Sequence, residues 1–523
     1  MKDLLNNKKR KLLIIFFGIA LVVGIAGSAK VKAMLISEPP ADFVAVSAHR
    51  AMYVTDNTEP SLPFINDSLC VIKDLTNSMS AFNNELNDLL NGKDTVINIV
   101  HLGDSHIQAG FLSGRTMRLL HNSFGNAGRG WIAPFKLSKV NEPQDYFILS
   151  DVKEWISGRC VQSQPKCPWG IGGIGIKTEA KNINFELIIA PNNGAGYSFN
   201  KIFMFRDSDA TPMAPLFRDN DSIPALLLGS EVYENVVVDT FTMANLIDTF
   251  SIKSVDSLRN TKNPQGNSTV KKINPNIYYG FMLANSNPGI LYHSIGVNGA
   301  KYKDYTNREY VRQLALLKPS LLIISLGTNE SYGRNFSKVE FESQVNSFVR
   351  LVHEEIPGVT LLITTPVEAY KRVYRNKKRY YERNENIAKV ANVISSYAEK
   401  EGIAYWDLYS VAGGDNSCKK WYEAKMFGSD RVHFSRNGYE EQGALLYKAI
   451  VRSYNSTQNN QETKGPETEE GGVDSATEST ETEQISSATE SEEEEDLTNS
   501  AAESTESLTS TAIKQGEEAV DVE

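Results

Sequence analysis

The chain has 523 residues, is 41% hydrophobic and carries a formal net charge of −10, enough apolar material for a large core and more than one domain. The charge is lopsided: Gln461–Glu523 holds 20 acidic and 2 basic side chains, so the rest of the chain is mildly basic. Basic and aromatic residues are interleaved in only one short stretch, Lys371–Tyr381, which argues against nucleic acid as a partner.

Lys8, Lys9, Arg10 and Lys11 precede Leu12–Ala29, an uncharged apolar run that ends in Gly27-Ser28-Ala29. Residues 1–33 read either as a cleaved signal peptide or as a retained signal anchor. Both alternatives export the remainder to the periplasm or cell envelope, and the second ties it to a membrane. Residues 34–75, with prolines at 39, 40, 60 and 63, read as a linker.

Phe82, Leu86, Leu89 and Leu90 recur at helical spacing before Gly92, and Val96–Leu102 is an apolar strand followed by a helix through Met117, Leu119 and Leu120. Residues 76–124 therefore form the first part of an α/β domain. From 125 to 288 the pattern changes to short strand-like runs broken by Asn, Gly and Pro: Ile183–Ile189, Tyr197–Phe205, Ala225–Leu228, Asn235–Thr242 and Ile277–Leu283. Such spacing predicts an inserted β-sandwich.

The α/β pattern resumes over 289–454. Strands at Ile290–Ile295, Leu321–Leu326, Val359–Thr364 and Ile403–Leu408 alternate with helices near 305–317, 337–354, 382–400 and 436–451. With the first strand this predicts a doubly wound, flavodoxin-like sheet of five parallel strands with helices on both faces. Residues 455–523 contain no aromatic residue and are dominated by Ser, Thr and Glu, which predicts a disordered tail. Cys160 and Cys167 are spaced for a bridge or for two free buried thiols. The seven His residues are scattered, so neither a metal nor another cofactor is called for.

Polar residues gather where parallel strands end, the edge at which open sheets bind ligands. Gly103-Asp104-Ser105 follows the first strand, Gly296-Val297-Asn298-Gly299 the second, Gly327-Thr328-Asn329-Glu330 the third, and Asp430-Arg431-Val432-His433 precedes the last helix. A serine hydroxyl needs a base to take its proton and an acid to orient that base. Ser105, His433 and Asp430 supply these parts. The backbone N–H of Ser105, that of a strand-two glycine and the Asn329 amide are candidate oxyanion donors. Gly296 and Gly299 compete for the glycine role. Each residue has a blander reading: Ser105 as a helix cap, His433 as a half-buried ring, Asn329 as a turn residue. His101 and His293 read as structural, and Asp104 as support for the Ser105 turn.

These four blocks, in this order, resemble the SGNH/GDSL hydrolase superfamily over roughly 95–125 and 288–452. The resemblance implies that Ser105 is the nucleophile, Gly299 and Asn329 complete the oxyanion hole, and Asp430 and His433 form the final block. His106 and Glu330 stand where many members carry Leu and Asp, and resemble the branch of peptidoglycan O-acetylesterases, which also carries a sandwich between the first and second blocks. The resemblance implies an exported O-acetylesterase acting on an envelope polysaccharide. An O-acetyltransferase and an inactive glycan-binding protein are the alternatives. Lys371–Tyr381, after the fourth strand, is read either as a solvated loop or as a contact for an anionic sugar. Substrate-binding residues and oligomeric state are not legible.

Overall fold

The computed structural model describes residues 53–55, 60, 62–150, 155–179, 184–189, 197–217, 223–254, 276–333 and 335–463. The N-terminal signal or anchor and nearly all of the expected tail lie outside the described residues. Among the described residues no helix is long and apolar enough to cross a membrane. The described residues all lie in the first unit of the chain, Met1–Gly465.

The first unit is built on a mixed six-stranded sheet, one strand more than expected. Its strands are β1 (Ile72–Lys73), β2 (Val96–Gly103), β3 (Gly289–Gly296), β4 (Leu321–Ser325), β5 (Thr360–Thr364) and β6 (Ala404–Trp406), in the order β1-β6-β5-β4-β2-β3. β2 to β6 run parallel, and β1 closes one edge antiparallel to β6. The extra strand lies in the expected linker, which packs onto the domain from Leu62 onward: Leu62, Ile65 and Cys70 are buried, and Asp67 pairs with Lys448 and Arg452 at 2.9 and 2.7 Å. Leu321–Ile324 on β4 are fully buried; each such side chain contributes about 1.5–3 kcal/mol through burial.

Helices α1 (Ser80–Leu90), α2 (Phe111–Phe124), α3 (Arg308–Ala315), α4 (Lys338–Glu355), α5 (Asn386–Glu401) and α6 (Arg436–Thr463) join or flank these strands. α6 runs past the expected end at 454: Gln458 is buried and the Asn455 amide exchanges hydrogen bonds with the backbone of Val54 at 2.9 and 3.1 Å.

The insertion holds two antiparallel sheets. One has the order Ile223–Pro224, Met213–Phe217, Thr249–Ser254, Asn184–Ile189, Tyr146–Ser150. The other has the order Leu226–Tyr233, Val236–Ile247, Phe199–Asp207, Asn276–Ala284, Ile174–Thr178, Ile156–Arg159, with Gly130–Ile132 also paired to Asn276–Ala284. Phe250 of the first sheet meets Phe199 and Phe281 of the second edge-on at 5.6 and 6.1 Å, so the inner faces share one apolar layer. Cys160 and Cys167 are both free and buried. The Cys167 thiol turns to the Pro168 carbonyl at 3.2 Å instead of bridging.

Lys371–Tyr381 is not a loop. Tyr370–Arg375 and Lys378–Arg383 form a β-hairpin closed by Asn376 and Lys377, both left-handed at φ 50° and 62°.

Candidate active site

Register brings the blocks together. Gly103 at the end of β2 lies beside Gly296 on β3 and Ser325 on β4, so the three following turns start at one level of the sheet. Gly296 is required by close approach: a Cβ there would lie 2.2 Å from the Gln108 backbone nitrogen and 2.7 Å from the Asp104 carbonyl. Ser105 opens a four-residue helix, Ser105–Gln108, capped by Asp104, whose Oδ1 accepts the His106 N–H at 2.9 Å. At that position the Ser105 N–H is one of the donors a helix leaves without an internal acceptor.

The segment 428–435 folds back over this turn. The Gly428 N–H donates to the His433 carbonyl at 2.7 Å, and Phe434 stacks on Phe427 at 4.3 Å and meets Trp421 at 5.3 Å. His433 Nε2 is thereby held 2.9 Å from Ser105 Oγ, and its Nδ1 lies 2.7 Å from Asp430 Oδ2. Asp430 Oδ1 accepts the Val432 and His433 N–H groups, both at 3.0 Å. Burial pushes the Asp430 carboxyl up, but the His433 hydrogen bond and these two backbone donors outweigh it and hold the group well below 3.8. The same hydrogen bond raises the His433 pKa above 6.5 against the effect of burial.

Asn329 donates both amide hydrogens, to Asp104 Oδ2 at 3.1 Å and to the Ala300 carbonyl at 3.0 Å. It thus ties the Ser105 turn to the turn carrying Gly299. Gly299 is left-handed at φ 84°, and a Cβ there would meet nothing within 4 Å, so this turn faces open space. Burial pushes Asp104 up to about 7. Glu330 accepts the Tyr302 N–H at 2.9 Å, and burial pushes it up to about 7.

Of the residues singled out from sequence, Ser105, His433 and Asp430 are in direct contact. Asn329 joins them through Asp104, and Gly299 through the Ala300 carbonyl. His101 and His293 are buried inside strands; His101 contacts Tyr292 Oη at 2.6 Å and Ser325 Oγ at 2.8 Å, and His293 contacts Asn98 at 3.2 Å.

Two contacts escape sequence reasoning. His106 Nδ1 lies 2.9 Å from Tyr439 Oη and its ring is 5.4 Å from that of His433; burial, then the charge of His433, pushes it down to about 3. Arg431, left-handed at φ 57°, lays its guanidinium 4.1 Å from the Tyr422 ring and 4.6 Å from Tyr381 of the hairpin. The only sequence signal for that stack is an Arg inside the His block and a Tyr-rich run elsewhere.

Residues 272–441 match the GDSL-like Lipase/Acylhydrolase family. A solved structure titled as a peptidoglycan O-acetylesterase in action is 20% identical, with a TM-score of 0.58, covering 73% of this chain and 99% of its own. A likeness at that identity establishes the shared fold. A putative acylhydrolase from Bacteroides fragilis is also 20% identical, with a TM-score of 0.24, over 31% of this chain and 76% of its own. No curated protein matches the sequence.

Proposed function

We propose that this chain, whose residues 272–441 carry a GDSL-like acylhydrolase domain, is an exported serine esterase that removes O-acetyl groups from a cell-envelope polysaccharide, peptidoglycan being the first candidate. One observation carries the reading: the unbroken relay of 2.9 and 2.7 Å from Ser105 through His433 to Asp430. In this reading His433 Nε2 takes the Ser105 proton as Oγ attacks the ester carbonyl, and then gives it to the sugar oxygen as its bond to the acyl carbon breaks, so the sugar leaves as an alcohol. Asp430 keeps the ring in the tautomer that leaves Nε2 free. The N–H groups of Ser105 and Gly299 meet the developing oxyanion, and Asn329 contributes by sharing the hydrogen now aimed at Asp104.

The alternative of acyl transfer needs water kept from the acyl-enzyme. The His433 and Asp430 side chains are 40% and 48% exposed, which favours water as acceptor. Export rests on the apolar N-terminal run, and whether that run stays as an anchor is part of the same proposal. The test is acetate release from purified O-acetylated cell wall. The parent chain should release it and Ser105→Ala should not; equal release by both ends the reading.

A further inference from the structure

The hairpin Tyr370–Arg383 is attached to both halves of the catalytic machinery. On one side, Tyr332, three residues after Asn329, donates its hydroxyl to the Tyr370 carbonyl at 2.8 Å. On the other, the Tyr370 N–H donates to the Arg431 carbonyl at 3.1 Å and the Tyr381 hydroxyl to the Ser429 carbonyl at 3.3 Å. The Arg431 guanidinium fills the space between Tyr370, Tyr381 and Tyr422. This root lies between the segments bearing Asn329 and Asp430.

Beyond the root the hairpin has no core to cover. Cross-strand pairing puts Tyr370, Arg372 and Tyr374 on one face with Arg383, Tyr381 and Arg379 opposite them. The inner members are engaged: Tyr370 and Tyr381 hold Arg431, and Arg383 pairs with Glu368 and Asp415. The outer members are freer: among the described residues Arg372 and Arg379 have no carboxylate partner, the Arg379 guanidinium lies 5.8 Å from the Tyr381 ring centre, and Tyr374 is 65% exposed. A row of Arg, Tyr and Arg thus continues the same face outward from the His433 block.

We infer that this outer face is a binding rail for an anionic glycan strand. Sugar rings stack on Tyr374, and carboxylates of the polymer pair with Arg372 and Arg379 on either side. Guanidinium pairs carboxylate bidentately, and an exposed tyrosine flanked by two cations that lack a carboxylate partner fits an acidic saccharide better than a neutral one or an apolar chain. The inference rests on the esterase reading for its purpose, since the rail would set the acetylated residue over Ser105. Its binding test needs no turnover.

The experiment uses the full chain and an Arg372→Ala, Tyr374→Ala, Arg379→Ala variant, with the melting temperature of each recorded. Cosedimentation with de-O-acetylated peptidoglycan sacculi at low salt should weaken roughly tenfold in the variant, from two surface ion pairs and one stacked ring. Salt should weaken the parent and barely move the variant. Arg372→Lys with Arg379→Lys should keep most of the low-salt binding. In turnover, the ratio of kcat/KM on O-acetylated sacculi to that on 4-nitrophenyl acetate should fall by a similar factor. Glycan strands stripped of their peptides tell whether the recognised carboxylates sit on sugar or peptide. Unaltered sedimentation and an unaltered ratio in the triple variant overturn the rail. Failure of the parent to release acetate with salt-sensitive sedimentation intact overturns the esterase reading alone.

Discussion

Replacing Asp430 by Asn should damage the enzyme more than replacing it by Ala. Asp430 Oδ1 is fixed by the N–H groups of Val432 and His433 at 3.0 Å, so an Asn here must turn its carbonyl oxygen to those two donors. Its NH2 then faces His433 Nδ1, which becomes an acceptor, and the ring proton moves to Nε2, the atom that must receive the Ser105 proton. An Ala leaves the gap to water, which accepts from Nδ1 and permits the working tautomer. A forced wrong tautomer costs about 10^4-fold in kcat in a related relay, or roughly 5 kcal/mol of barrier. We expect about 10^3- to 10^4-fold for Asp430→Asn, and about tenfold less damage, or roughly 1.4 kcal/mol, for Asp430→Ala, whose gap admits the accepting water. Because Asp430 is 48% exposed, the fold itself should lose no more than about 1 kcal/mol. The assay is kcat for 4-nitrophenyl acetate at pH 7.5–8, with imidazole 15N shifts reporting the tautomer. An Asn variant faster than the Ala variant refutes the reasoning.

Three further outcomes follow from the same geometry. His433 must be neutral to act as base, and the Asp430 hydrogen bond raises its pKa above 6.5, so kcat/KM should fall on the acid side at a pH above 6.5; Asp430→Ala should move that limb to lower pH, read from a pH profile. Gly296→Ala should cost more than about 3 kcal/mol because its Cβ meets backbone, whereas Gly299→Ala should cost about 1–2 kcal/mol of left-handed strain alone, compared by denaturant melts. Tyr439→Phe leaves His106 Nδ1 without its hydroxyl, and its Nε2 is already unpartnered among the described residues, so stability should drop by about 1–3 kcal/mol in the same melts.

The relay and the parallel strands were legible because both leave strong local marks: continuous apolar runs such as Leu321–Ile324, and polar residues set where those runs stop. The rest hides where stability comes from contacts between distant segments. β1 is two residues long and follows Pro60 and Pro63, so nothing in its own composition marks a strand; it exists because β6 offers an edge. The last turns of α6 are held by Asn455, whose amide bonds the Val54 backbone, and they bury Gln458, which no hydrophobic period reveals. The hairpin lacks apolar alternation because it covers no core, and its turn uses Lys377 where glycine is usual. Arg431 reads as an ordinary surface charge until the two tyrosine-bearing elements are placed around it.

The insertion also separates the two halves of the site along the chain. Gly289 pairs with Val96 across the whole intervening sandwich, and prior folding of that sandwich would draw the two strand ends together and lessen the entropy of closing so long a loop. In the proposed mechanism the base lies 328 positions downstream of Ser105, so until the chain reaches His433 the serine hydroxyl is a chemically ordinary alcohol. Latency of that relay is thereby written into chain order.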